Sequence, residues 1–220
     1  MPKIEATDVL GTVLDIASTL TNRGPMLNER YLHHLFTHRL QGERDLLGLT
    51  VGSPIAVLHP EWPTYKKTTG LAFGRYRKVA KQYLPVNDGT AGFVDFAVGD
   101  YEQPYIAIEF GLTHGWQHEG TVFDFLKLLD GENPFRTGVS FNVILRNKGL
   151  VRGGYLRNLE EHMDRAYAEA VGRLAQRGEV CDDSRRLYFI ITEIDADDNR
   201  RHWHLNREYR RFEPGLPSLG

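Results

Sequence analysis

The stretch DFAVGDYEQPYIAIEFG, from Asp95 to Gly111, contains two β-rich apolar runs separated by a turn-forming segment. Each run carries one carboxylate: Asp95 near the start of the first run and Glu109 near the end of the second. An acid inside a core strand is costly unless it is paired or holds a cation. The positions of these two acids are therefore the main clue to what the predicted sheet does.

The two runs predict an antiparallel hairpin. If Val98 pairs with Ile106, Asp95 lies directly opposite Glu109, and directly paired side chains share one face of a sheet. Two carboxylates at that separation repel each other, and one keeps its proton unless a cation lies between them. A divalent metal such as Mg²⁺, which binds carboxylate oxygens, resolves this conflict. The alternative is that either acid lies on a solvated face or pairs with an arginine.

Hydrophobic periodicity predicts helices and strands along the rest of the chain. Helices are predicted at 5–20, 27–41, 121–131 and 155–177, and strands at 54–59, 92–98, 105–110, 138–147 and 186–194, the last of them central. Strands joined through helices favour an α/β fold, with a mixed central sheet flanked by helices on both faces. The chain, 1–220, is predicted to be a single domain with a polar tail from about 195.

Composition argues against several classes of protein. The net charge of −2 shows no overall bias toward nucleic acid or membrane, so any basic surface must be local. The single cysteine, Cys181, excludes an internal disulfide and a cysteine-rich zinc site. The nine histidines form no His-Glu-x-x-His motif, and structural or surface roles are expected for them. Without a membrane-length apolar run or a signal-peptide pattern, a cytoplasmic protein with no membrane contact is expected.

Residues 62–87 form a basic, aromatic-rich block that contains no Asp or Glu and shows no clear secondary-structure pattern. Lysine and arginine neutralise phosphates, and interleaved aromatic rings stack on bases, so the block indicates nucleic-acid binding. A solvated basic face packed by its own aromatic rings is the alternative. The six cations of the block are Lys66, Lys67, Arg75, Arg77, Lys78 and Lys81.

The hairpin and its surroundings resemble the PD-(D/E)xK nuclease superfamily, whose members have the restriction-endonuclease-like fold. GFVDFAV matches the first acidic strand through Asp95, YIAIEFG matches the second through Glu109, and FDFLKLL resembles the helix that follows. The superfamily also carries an acid on a helix before the hairpin, and Glu29 in LNERYLHHLF occupies that place. The resemblance covers roughly residues 25–146.

The resemblance implies a metal-dependent nuclease that hydrolyses phosphodiester bonds of nucleic acid, DNA in preference to RNA. Glu29, Asp95 and Glu109 would hold Mg²⁺ or Mn²⁺, which lowers the pKa of a bound water and neutralises charge on the scissile phosphate. Nucleases of this fold that cut both strands often dimerise, so a homodimer is one expectation. For Glu29 the alternative is a purely helical role, because an acid in the first turn after Asn28 interacts favourably with the helix dipole.

One position departs from the family pattern. The family's lysine belongs two residues after Glu109, where it orients the attacking water and stabilises negative charge on the phosphate, but Gly111 stands there. One interpretation is that Lys127, on the following helix, supplies the missing cation and has a catalytic role. The other is that the site is degenerate and the protein binds nucleic acid or a protein partner without cleavage. Lys127 also suits a surface i,i+3 pair with Asp124.

Overall fold

The computed structural model describes residues 4–22, 27–42, 44–48, 56–68, 71–113, 117–146, 159–177, 185–206, 208 and 210–218. Its helices are α1 (Ala6–Thr19), α2 (Glu29–Gln41), α3 (His118–Leu129) and α4 (Leu159–Ala175). Its strands are β1 (Leu58–Thr68), β2 (Leu71–Val79), β3 (Gln82–Gly89), β4 (Gly92–Gly99), β5 (Pro104–Thr113), β6 (Thr137–Leu145), β7 (Arg186–Ile194), β8 (Arg200–Asn206) and β9 (Arg211–Pro214). The predicted α/β class, with a large mixed sheet flanked by helices, is confirmed.

The strands form one sheet in the order β3-β2-β1-β4-β5-β6-β7-β8-β9. Strands β5, β6 and β7 run parallel, whereas the other neighbouring pairs are antiparallel. Parallel neighbours need a crossover, and α3 lies between β5 and β6 in the chain as α4 lies between β6 and β7. Because helices cover both faces there, these strands are nearly all buried.

Two apolar cores lie on opposite faces of the sheet. One packs under α1 and α2, and the other packs under α3 and α4. Successive residues of a strand point to opposite faces, so β5 sends Ile106, Ile108 and Phe110 to the first core and Ala107 to the second. Glu109 follows the parity of Ala107 and therefore lies on the α3 side. No helix in the described ranges is long and apolar enough to cross a membrane.

The predicted elements are present with shifted ends, and two positions need correction. Strand 186–194 has the predicted bounds but is seventh of nine in the sheet, and β5 is the middle strand instead. The strand predicted at 54–59 begins at Leu58 and continues to Thr68, whereas 54–55 fall outside the described residues. Residues 155–158 of the last predicted helix also fall outside them.

The basic block is a β structure that the periodicity did not reveal. It spans most of β1, all of β2 and most of β3, an antiparallel wing at one end of the sheet. Ala80 and Lys81 connect β2 to β3 with φ of 47° and 72°. Positive φ at both residues of a two-residue loop is the type I′ turn, whose twist matches that of the strands it joins.

The polar tail from 195 also contains strands. Strands β8 and β9 continue the sheet beyond β7 and bury only Trp203, Leu205 and Phe212. With so few apolar side chains, one face is solvated and the hydrophobic signal is weak. The sequence pattern therefore predicted no strand in this region.

Arg75 is the one block cation whose predicted role the structure contradicts. Its side chain has no exposed surface, and its guanidinium nitrogens lie 2.8 and 3.2 Å from the buried carboxylate of Asp130 at the end of α3. Tyr76 donates a further hydrogen bond to that carboxylate at 3.2 Å. A side chain without solvent contact cannot reach a phosphate, so Arg75 anchors the wing to α3 instead.

We expect Arg75→Ala to lower the free energy of unfolding by about 3–5 kcal/mol, because it leaves the buried Asp130 carboxylate without its partner. The matched control is Arg77→Ala in the same strand, since Arg77 is 53% exposed and pairs with a 74% exposed Asp88. Exposed pairs contribute about 0–1 kcal/mol. Urea unfolding of the two variants measures the difference, and equal losses would contradict the anchoring role.

Candidate active site

The hairpin of β4 and β5 has the predicted register, but its ladder ends just before the two acids. Val98 pairs with Ile106, and Phe96 with Ile108 is the last pair of this ladder within the described residues. Strand β5 continues to Thr113 along β6 alone. By the alternation of the ladder, the N–H groups of Phe110 and Leu112 face the space that β4 has left. Buried N–H groups need acceptors, so this opening demands other partners.

Two carboxylates from different elements accept those hydrogen bonds. Phe110 N donates to Asp95 Oδ2 at 2.6 Å. The backbone N–H of Leu112 donates to the carboxylate of Glu29, the first residue of α2. The side chain of Asn28 caps α2 by accepting from Tyr31 N at 2.9 Å, so the cap does not require Glu29. Glu29 therefore approaches Asp95 from its helix, as predicted.

Glu29, His33 and Asp95 form a compact group in which one potential ligand atom of each lies within 4.8 Å of the others. His33 is one turn after Glu29 on α2, so the two side chains share a face of the helix. His33 Nε2 is buried without a well-formed hydrogen bond, and it lies 3.5 Å from Asp95 Oδ2. One imidazole and two carboxylates are a donor set that first-row divalent metals accept.

The sequence analysis missed His33 because it looked for metal motifs made of several histidines. The available signal was the i,i+4 spacing of Glu29 and His33, which places an imidazole beside a predicted acid of the site. That spacing is common on helices, and only the approach of Asp95 from β4 distinguishes this pair from any other.

Glu109 belongs to a different part of the site from the one predicted. Its carboxylate is 3% exposed on the α3 side, and Lys127 Nζ lies 2.5 Å from its Oε1. Lys127 Nζ also lies 3.1 Å from Asp124 Oδ1 and donates to the Phe93 carbonyl at 2.8 Å. The structure thus brings Asp95 together with Glu29 and His33, and it pairs Glu109 with Lys127.

Lys127 points into the acid cluster and not into solvent. Its side chain is only 6% exposed, so the interpretation as an exposed surface pair with Asp124 is wrong, although the contact itself exists. Burial lowers the pKa of Lys127, but the charges of Glu109 and Asp124 raise it further, and the net direction is up. The ammonium therefore stays charged inside the cluster.

The acids around this ammonium compete for it. Burial raises the pKa of Glu109 and of Asp124, Lys127 lowers both, and the net direction is up for each. Asp95 contributes to both upward shifts through its charge. One lysine does not balance these carboxylates, so the cluster retains excess negative charge.

The Glu29 side of the site shows the same excess. Burial raises the pKa of Glu29, and the charge of Asp95 raises it further. Burial lowers the pKa of His33, but the contact with Asp95 and the charge of Glu29 raise it, and the net direction is up. Both shifts record a site in which negative charge exceeds positive charge, and a bound cation would relieve it.

A cavity of about 110 Å³ opens beside the cluster. Glu29 and Asp124 form its acidic wall, and Gly111 and Asn142 lie on neighbouring strands at its floor. A Cβ atom at position 111 would lie 2.3 Å from Asn142 Oδ1. Since real contacts are never that short, a lysine at this position would displace Asn142, which explains the glycine.

The basic wing reaches the site through stacked aromatic rings. Tyr83 stacks on Phe123 with ring centroids 3.8 Å apart, and Lys127 Nζ lies 4.8 Å from the Phe123 centroid. On the outer side, Lys78 Nζ lies 5.0 Å from the Tyr83 centroid. Lys78, Lys81 and Arg77 are exposed, whereas the side chains of Lys66 and Lys67 lie outside the described part of the chain.

No family model matches the chain, and no curated protein or solved structure matches it. The chain is thus classified by its own coordinates: an α/β protein with a nine-stranded mixed sheet. Its distinguishing site is a half-buried group of acids and one histidine at the end of the β4–β5 ladder, next to a buried lysine.

Proposed function

We propose that the protein is a metal-dependent nuclease with a restriction-endonuclease-like fold, acting on phosphodiester bonds of DNA in preference to RNA. The observation that carries this proposal is the position of the Lys127 ammonium, 2.5 Å from Glu109. A cation from α3 thereby stands at the acid cluster that lacks the usual lysine at Gly111. The coincidence of acids, lysine and an open cavity is what phosphodiester hydrolysis requires.

Glu29, His33 and Asp95 would hold the divalent cation. They fit it because His33 Nε2 is a buried nitrogen without a well-formed hydrogen bond, close to two carboxylates. Mg²⁺ prefers oxygen ligands, whereas Mn²⁺ accepts an imidazole among them, so Mn²⁺ is the better match. When bound, such a cation lowers the pKa of water at the site and neutralises charge on the scissile phosphate.

Lys127 would act through its charge. An ammonium has three protons, and Glu109, Asp124 and the Phe93 carbonyl accept all three. It therefore has no proton left to orient a water directly, which revises the role expected from the sequence. A fixed positive charge in a site with little water stabilises negative charge that develops on a phosphate oxygen.

The same observation favours a second candidate function. A lysine that is 6% exposed and has all its protons engaged also suits a structural ion pair, and Gly111 cannot supply another cation. The alternative is therefore a degenerate nuclease-fold protein that binds nucleic acid or a protein partner and does not cleave. Cleavage is the property that separates the two candidates.

We expect the unmutated protein to cleave labelled DNA in the presence of Mn²⁺ or Mg²⁺. Asp95→Asn, which keeps the shape but removes the charge, should slow cleavage on the order of 10²–10³-fold, and Lys127→Ala should slow it comparably. The matched control is Asp15→Asn on α1, since that carboxylate is 57% exposed and distant in the fold. Circular dichroism checks folding. A protein that binds nucleic acid but cleaves neither DNA nor RNA with either metal would establish the alternative.

We expect His33→Ala to weaken Mn²⁺ binding at least about 10-fold, because even the loss of an outer partner of a metal ligand costs about 10–100-fold in affinity. His34→Ala is the matched control, since His34 is the exposed neighbour in the same helix. Isothermal titration with Mn²⁺ measures both variants without reference to activity. Equal affinities for the two variants would show that His33 is not a ligand.

We expect the double variant Lys78→Ala/Lys81→Ala to weaken DNA binding and to flatten its salt dependence. Each lost phosphate contact should reduce the slope of log K against log salt by roughly 0.9, because fewer counterions are released. Fluorescence anisotropy over a salt series measures the slope. An unchanged slope would remove the β2–β3 hairpin from the nucleic-acid surface.

A further inference from the structure

Asn142 interrupts an otherwise buried strand. Every residue of β6 is buried except Asn142, which is half-buried. A strand with both faces covered by helices normally carries apolar side chains, and an amide there is costly unless its polar atoms are used. The position of this amide therefore requires an explanation that packing alone does not give.

The structure holds the amide in one orientation. Asn142 Nδ2 donates to Ser140 Oγ at 2.9 Å, and Ser140 is fully buried. Oδ1 lies on the other side, over Gly111, where the missing side chain leaves room for it. Within the described part of the chain no group donates a hydrogen bond to Oδ1. An oriented acceptor thus lines the cavity of about 110 Å³.

The chemistry of the cavity walls restricts the ligand. Glu29 and Asp124 disfavour a bare anion, whereas the remaining polar lining is neutral: the amides of Gln117 and Asn142 and the hydroxyls of Thr113 and Thr121. The volume is somewhat below the roughly 150 Å³ of a protein cavity that holds benzene. A neutral six-membered ring with a polar edge fits these walls, and a fused two-ring system does not.

We propose that this cavity receives a pyrimidine base of the nucleic-acid substrate, and that Asn142 Oδ1 accepts a hydrogen bond from its amino or imino edge. The inference rests on the proposed function. The cavity shares Glu29 with the metal-type group and Asp124 with the lysine pair, so the base belongs to a nucleotide beside the scissile phosphate. A stacked, paired base cannot enter, so the preferred substrate has unpaired nucleotides.

The test measures binding, so that it does not depend on cleavage. A labelled oligodeoxycytidine is compared with an abasic chain of the same length and phosphate charge, by anisotropy in Ca²⁺ at one salt concentration. Asn142→Ala should weaken binding of oligodeoxycytidine by about 10-fold, the value of one lost hydrogen bond, and leave the abasic chain unchanged. Asn199→Ala, an exposed asparagine that does not line the cavity, should change neither.

Several results would overturn the pyrimidine pocket. These are equal weakening on both chains, equal affinity of the unmutated protein for both chains, or equal affinity for oligodeoxyadenosine. Asn142→Leu, which keeps the side-chain volume, should reproduce the loss with an unchanged midpoint of thermal unfolding. Cleavage assayed in parallel separates the two proposals. Binding that depends on Asn142 without cleavage contradicts the nuclease alone, whereas cleavage without that dependence contradicts the pocket alone.

Discussion

The site depends on the early end of the ladder between β4 and β5. Beyond Ile108 the middle strand loses its antiparallel neighbour but stays buried against β6, so two of its N–H groups need acceptors. Asp95 and Glu29 accept those hydrogen bonds, which draws a strand acid and a helix acid to the same opening. A backbone requirement thus concentrates negative charge at this point of the fold.

Concentrated charge in a half-buried place is unstable without compensation, and α3 provides part of it. Removing charges from water costs several kcal/mol per ion in real proteins, and the cost is recovered only with good geometry. Lys127 meets three acceptors from β5, α3 and β4, and the Phe123 ring lies beside it. The remaining negative charge is on the Glu29 side, next to His33, which is where a second cation has its place.

The sequence predicted those parts of the site that follow from local rules. Strand alternation gave the Val98–Ile106 register, and helix direction gave the approach of Glu29 and the inward position of Lys127. It failed where long-range packing decides. Nothing local distinguishes the buried Arg75 from the exposed Arg77, because only Asp130, far along the chain, makes the difference. Likewise β8 and β9 bury too few side chains to show a period.

Gly111 connects the two unusual features of the site. A side chain at this position would occupy the space of Asn142 Oδ1, so a lysine and an inward-pointing Asn142 exclude each other. With the lysine on α3, the ammonium enters from the helix side, and the strand side of the site stays open. That open space is the cavity floor, and its polar group is the neutral amide of Asn142. Moving the cation to α3 and forming a neutral pocket are therefore two consequences of the same substitution.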